Sequence, residues 1–138
     1  DKREQLYGVL GDSLEKGLTF DVVQTIHENL NAQMEEKKKG EGLQVGRKEI
    51  ASLLDSCDVD AAEQKAFDEG YLEQFGAVGL DASLIADQKR FEIETENVKV
   101  SVDPDRSDLV EVKRIDGRRM ITIWVEGDVT VNGIEVDV

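Results

Sequence analysis

Hydrophobic residues in the first half of the chain recur about every 3.6 positions, the spacing that places them on one face of an α-helix. Thr19 can cap a helix here, and Gly17 and Gly40 can end one. The pattern predicts about four helices. Their apolar stripes are Leu6, Leu10 and Leu14; Val23, Ile26, Leu30 and Met34; Ile50, Leu53, Leu54 and Cys57; and Ala66, Phe67, Tyr71 or Leu72, and Phe75.

From Phe91 onward the spacing changes to two, which is typical of strands with one buried face. FEIET and VKVSV alternate in this way, and the dipeptides Asp116-Gly117 and Asn132-Gly133 favour two-residue hairpin turns. We expect one side of the first hairpin to face the core, namely Val110, Val112, Ile121, Ile123 and Val125. The turns fix the registers, pairing Ile115 with Arg118, Val112 with Ile121, Val110 with Ile123, Val131 with Ile134, and Val129 with Val136.

These elements predict an α+β fold, with about four N-terminal helices packed on one face of a C-terminal, mainly antiparallel sheet of about five strands. Residues 1–88 form the helical part and residues 89–138 the β-sheet part. Their combined length suits one compact domain with one core. Because the chain begins at Asp1 rather than Met, we expect it to be a piece of a longer protein.

The strongly negative net charge of the chain makes some classes of binding partner unfavourable. The net charge is −14 over 138 residues, and such a field disfavours nucleic acid and anionic membranes. One cysteine and one histidine leave no internal disulfide and no Cys/His zinc site. The single cysteine fits a reducing, cytoplasmic setting, and the sequence contains no apolar run long enough for a membrane-spanning helix.

Few residues suggest chemistry. The segment DVDAAEQKAFDE begins like a calcium loop but lacks the glycine that its sharp turn requires. The DPDRSD loop places Asp103, Asp105 and Asp108 close together, and their carboxylates could hold a divalent cation. His27 and Cys57 lie beside apolar stripes and are expected to pack in the interior. We find no nucleophile motif and expect no catalytic residue and no cofactor.

One basic cluster stands out in this acidic chain. Four basic residues surround the turn of the first hairpin: Lys113, Arg114, Arg118 and Arg119. The strand that follows the turn continues to Met120 and Trp124. The register places Arg114 opposite Arg119, a like-charge pair that costs stability unless an anionic group neutralises it. We expect that group to come from the acidic helical half of the chain, or otherwise from another protein or domain.

Four segments, TFDVVQTIHENL, KRFEI, DPDRSDLVEVKRIDG and VEGDVTVNGIEV, resemble the C-terminal region of a bacterial family known only as a domain of unknown function. The resemblance extends over most of the chain. It implies that the chain is the last portion of a longer cytoplasmic protein. It implies no activity, cofactor or catalytic residue.

The sequence therefore favours a non-catalytic accessory or protein-interaction domain. We expect the contact surface at Arg118, Arg119, Met120 and Trp124, with a protein partner or the N-terminal part of the same protein. The alternative is a domain that binds a small ligand or divalent cation, or is hydrolytic, through Asp103, Asp105 and Asp108, with Arg106 for an anionic group. A homodimer through an open sheet edge, at FEIET or VNGIEVDV, is a third expectation.

Overall fold

The computed structural model describes residues 1–37 and 42–138, and it contains the four expected helices. Each begins at a capped position: Asp1, Thr19 and Asp60 accept backbone N–H groups of the first turn, and the Gly46 N–H donates to Glu49. Helix α2 ends before the expected stop at Gly40, which lies outside the described residues. The helices are α1 (Lys2–Ser13), α2 (Phe20–Glu36), α3 (Arg47–Asp55) and α4 (Ala61–Phe75).

The helices enclose the main core of the molecule. Most of the expected apolar stripes are buried, although in α2 the buried valine is Val22 rather than Val23. β1 (Gln44–Val45), which precedes α3, pairs with β2 (Leu80–Asp81), which follows α4, and both strands contribute a side chain to this core. Large side chains that are fully buried here are Leu6, Leu10, Ile26, Leu30, Ile50, Leu54, Phe67 and Tyr71.

The remaining strands form three separate hairpins. The registers of the last two are those expected from the sequence, and positive φ angles at Asp116, Gly117, Asn132 and Gly133 confirm the two-residue turns. The strands are β3 (Phe91–Glu94), β4 (Lys99–Val102), β5 (Val110–Ile115), β6 (Arg118–Ile123), β7 (Val129–Val131) and β8 (Ile134–Val136). Two short 3₁₀ helices, Ala82–Leu84 and Pro104–Leu109, complete the fold.

Two expectations about the sheet are wrong. Over residues 1–37 and 42–138, each strand pairs with one neighbour only, so the single five-stranded sheet is replaced by four two-stranded ones. The expected core face of the β5–β6 hairpin is also largely uncovered: Val110 is buried, but Val112, Ile123 and Val125 are exposed. Alternation with period two shows which side chains share a face, but it does not show whether another element covers that face.

No helix in the described part of the chain is both long and apolar enough to cross a membrane.

Candidate interaction surface

A stripe of polar residues on α2 holds the loop that precedes β5. Gln24 Nε2 donates to the carbonyl oxygens of Ser107, at 2.8 Å, and of Val110, at 3.0 Å. One turn further on, Glu28 accepts a hydrogen bond from the Ser107 hydroxyl at 3.0 Å. We call these contacts, together with those of His27 and Asn31 described below, the α2 joint. The α2 joint fixes the position of the start of β5 relative to α2.

His27 belongs to the α2 joint and is buried. Its Nε2 lies 3.0 Å from the carbonyl oxygen of Pro104. Since a carbonyl can only accept, Nε2 carries the proton. The imidazole also packs against Phe91, with ring centres 4.7 Å apart. His27 is therefore packed in the interior, as expected from the sequence, and the structure adds its contact with Pro104.

The three aspartates of the DPDRSD loop all accept hydrogen bonds, from the loop itself or from α2. Asp103 caps its own turn by accepting the Asp105 N–H, and Asp105 accepts from Asn31 Nδ2 at 2.9 Å. Asp108 accepts two hydrogen bonds from Arg106, each 3.1 Å long, and these lower the pKa of its carboxyl. Within residues 1–37 and 42–138, no three His, Cys, Asp or Glu side chains are grouped to hold a metal ion. The cation-binding alternative stays a prediction, and this geometry does not favour it.

Arg106 connects the same loop to the segment after β6. Besides Asp108, its guanidinium contacts both carboxylate oxygens of Glu126, at 2.6 and 3.2 Å. Hydrogen bonds from these two carboxylates raise the pKa of Arg106 above its ordinary value. Arg106 therefore has structural contacts with two carboxylates, and the anion-binding role considered from the sequence stays a prediction.

The four expected contact residues are all exposed, on two faces of the β5–β6 hairpin. Arg119 lies opposite Arg114 on the face that carries Val112. Arg118, Met120 and Trp124 occupy alternate positions and share the other face. Met120 is 41% exposed and Trp124 62% exposed. The structure thus brings three of the four together and separates Arg119 from them.

Contacts around Trp124 organise the second face. Its indole N–H donates to Glu111 Oε1 at 3.0 Å, and Lys113 lies 3.2 Å from the other Glu111 oxygen. Both interactions lower the pKa of Glu111, the indole hydrogen bond most of all. Trp124 is therefore held in place although most of its surface is exposed.

The arginines of the turn have no neutralising carboxylate beside them among the described residues. Within the part of the chain that the structure describes, Arg114, Arg118 and Arg119 form no ion pair within 4.0 Å. The expectation that the acidic helical half of the same copy neutralises them is therefore not met among these residues. We call residues 113–119 the basic tip.

Sequence reasoning missed the exposed hydrophobic residues of the hairpins. It assigned Val112 and Ile123 to a core face, yet they are 44% and 51% exposed. The pair Val131–Ile134 at the end of β7–β8 is exposed as well. Alongside the Val112 face, a groove of about 460 Å³ separates the hairpin from Glu94–Glu96 at the β3–β4 turn. No signal in the period-two pattern distinguishes these residues from buried ones.

A second groove, of about 440 Å³, lies between α1, α2 and β3 and is lined in part by Tyr7, His27 and Arg90. Burial raises the pKa of Tyr7 to about 12, so its hydroxyl stays protonated at neutral pH and can serve only as a neutral polar group. Arg90 is paired with Asp87 at 3.4 Å and with Glu92 at 3.5 Å. Its lining, as far as the chain is described, includes no Ser, Thr, Cys or Lys side chain.

A family model described as a domain of unknown function (DUF4317) matches residues 1–134. No curated protein and no solved structure matches the chain. The resemblance to a family of unknown function is thereby confirmed. A bacterial origin and a C-terminal place in a longer protein stay predictions.

Proposed function

The chain belongs to the DUF4317 family, a domain of unknown function, and from this premise we propose that it is a non-catalytic protein-interaction domain. The helical half is the folded support, and the β5–β6 and β7–β8 hairpins are the binding element. Its partner is another protein or another part of the same protein. We place the interaction in the cytoplasm because the single cysteine leaves no internal disulfide.

One observation carries the proposal: the two C-terminal hairpins expose their hydrophobic side chains. Two-stranded hairpins are marginally stable in water unless a face packs on something else. Contiguous exposed apolar surface is typical of a contact site for another protein. Among the described residues, ten large hydrophobic side chains from 112 onward are exposed: Val112, Ile115, Met120, Ile123, Trp124, Val125, Val131, Ile134, Val136 and Val138.

The support for the β5–β6 hairpin is well defined. The α2 joint holds the loop before β5, and Arg106 links that loop to Glu126, which follows β6. Binding would therefore order little new backbone, which lowers the entropic cost of association. Arg, Trp and Met are also residue types enriched at protein interfaces, and Arg118, Met120 and Trp124 share one face.

Site-specific photo-crosslinking tests the proposal in cells that make the natural protein. A photoreactive phenylalanine analogue replaces Trp124 or Met120, and the control carries it at Ser52, an exposed position on α3. We expect discrete protein adducts from the two hairpin positions and none from Ser52. Adding Arg118→Glu should reduce the hairpin adducts.

Mass spectrometry of the adducts separates the partners, because peptides from the same polypeptide or from a different protein identify the contacted surface. Equal adduct yields at Ser52 and Trp124, or no adduct at either hairpin position, would contradict the interaction role.

A further inference from the structure

An acidic groove between α1 and α4 has no role in the fold or in the surface described above. It has a volume of about 450 Å³. Gly70 lets the two helices approach closely there, since a Cβ at this position would lie 2.9 Å from Val9 Cγ1. The lining combines apolar or small residues, Val9, Ala66 and Gly70, with the polar Ser13 and Gln74 and the carboxylates of Asp12, Glu69 and Glu73.

The charge of this groove is one-sided. Counting described residues alone, its lining contains three carboxylates and no basic side chain. None of the three belongs to an ion pair with a described residue of the same copy. The groove therefore combines the apolar side chains of Val9 and Ala66 with three carboxylates, an arrangement suited to a hydrophobic side chain flanked by cations.

The basic tip has the complementary arrangement. Ile115 stands at the end of β5 and is 50% exposed, with Arg118 opposite and Arg114 beside it. Four basic and two acidic side chains give residues 110–123 a charge of +2, which leaves −16 for the rest of the chain. Within one copy, neither the arginines of the tip nor the carboxylates of the groove are paired among the described residues.

We propose that the α1–α4 groove of one copy receives the basic tip of a second copy. Ile115 would contact Val9 and Ala66, and Arg114, Arg118 and Arg119 would pair with the rim carboxylates. Reciprocal insertion gives a closed dimer with two-fold symmetry, the commonest arrangement of soluble oligomers. The inference rests on the proposed function and names its partner. A second copy is favoured over another protein because this chain supplies both complementary surfaces.

Charge reversal tests the pairing in solution by sedimentation velocity over a range of protein and salt concentrations. The tip variant is Arg114→Glu/Arg119→Glu, and the groove variant is Glu69→Arg/Glu73→Arg. Each variant replaces one like-charge pair by another, Arg114–Arg119 on the hairpin or Glu69–Glu73 on α4. The stability of the hairpin or helix itself should therefore change little. Lys48→Glu/Lys89→Glu, on exposed positions elsewhere, is the matched control.

We expect the natural chain to dimerise more weakly as salt increases. Either reversed variant alone should raise the dimer dissociation constant by about ten-fold or more. The control should behave as the natural chain does, and an equimolar mixture of the tip and groove variants should associate again. Urea unfolding of each variant verifies that it is folded.

Three results would overturn the inference: a natural chain that stays monomeric at low salt, dimerisation that neither reversal weakens, or a mixture that does not associate. If the natural chain is monomeric while Trp124 still crosslinks to a different protein, this inference fails and the interaction role stands. If neither association nor crosslinking occurs, both fail.

Discussion

The helical half and the C-terminal hairpins use hydrophobic residues in opposite ways. Seventeen buried apolar side chains are found in the described residues, and only Val110 among them follows Phe91. Ile26 in α2 has no exposed surface, whereas Ile134 in β8 is 68% exposed. Helices α1 to α4 cover one another, whereas among the described residues Val110 is the only buried side chain of β5 to β8. The first half completes its own core, while the second presents hydrophobic surface that another molecule can bury.

The largest effect predicted from this comparison concerns two identical substitutions. Ile26→Ala should lower the free energy of unfolding by about 2–5 kcal/mol, since it removes buried methyl groups and leaves a cavity. Ile134→Ala should change it by less than about 0.5 kcal/mol, since the side chain is mostly in water already. Urea unfolding followed by far-UV circular dichroism, with α-helical signal as the readout, measures both.

The protein concentration should be kept where the chain is monomeric, because a partner that binds only the folded state adds stability. Equal losses for the two substitutions would show that the hairpins belong to the same cooperative core as the helices, and the contrast between the regions would be lost.

A smaller effect is expected at the α2 joint, where the two regions meet. Gln24→Ala removes the donor to the carbonyl oxygens of Ser107 and Val110, so it should cost about 1–2 kcal/mol. Gln33→Ala is the control, because Gln33 is exposed and its amide contacts only Asn29 on the same helix. Hydrogen exchange should then accelerate in β5 and β6 more than in α1.

Unchanged exchange in β5 after Gln24→Ala would mean that other contacts, such as those of Arg106, suffice to hold the hairpin. Acceleration spread evenly over α1 and β5 would instead place the joint within the global unfolding unit.

How much of this could be read from the sequence differs between the two regions. The stripe at Leu6, Leu10 and Leu14 predicted both the helix and its buried face, because a helix with one apolar stripe must bury it on a neighbour. The Asp116-Gly117 dipeptide predicted the complete β5–β6 register, since a two-residue turn leaves one pairing. Local geometry was sufficient in both cases.

The rest depends on contacts between distant parts of the chain. Val112 and Val110 lie two positions apart on the same face, yet one is exposed and the other buried. The difference depends on tertiary contacts, since α2 lies beside residue 110, where Gln24 donates to the Val110 carbonyl. Gln24, Glu28 and Asn31 follow helical spacing and so share a face, which was visible in the sequence. The loop that they contact, nearly eighty residues later in the chain, could not be identified from the sequence.

The smallest expected effect tests whether the hairpin surface is locally ordered although it is exposed. Trp124 is the only tryptophan, so its fluorescence reports the hydrogen bond to Glu111 directly. That bond and Lys113 lower the pKa of Glu111, so the stabilisation is present above the pKa of an unfolded glutamate and is lost as pH falls through the lowered value. Fluorescence should therefore change with a midpoint below 4.5. Glu111→Gln keeps an acceptor but cannot titrate, and it should remove this transition. A midpoint at or above the ordinary value, or the same transition in the variant, would show that the indole is not held.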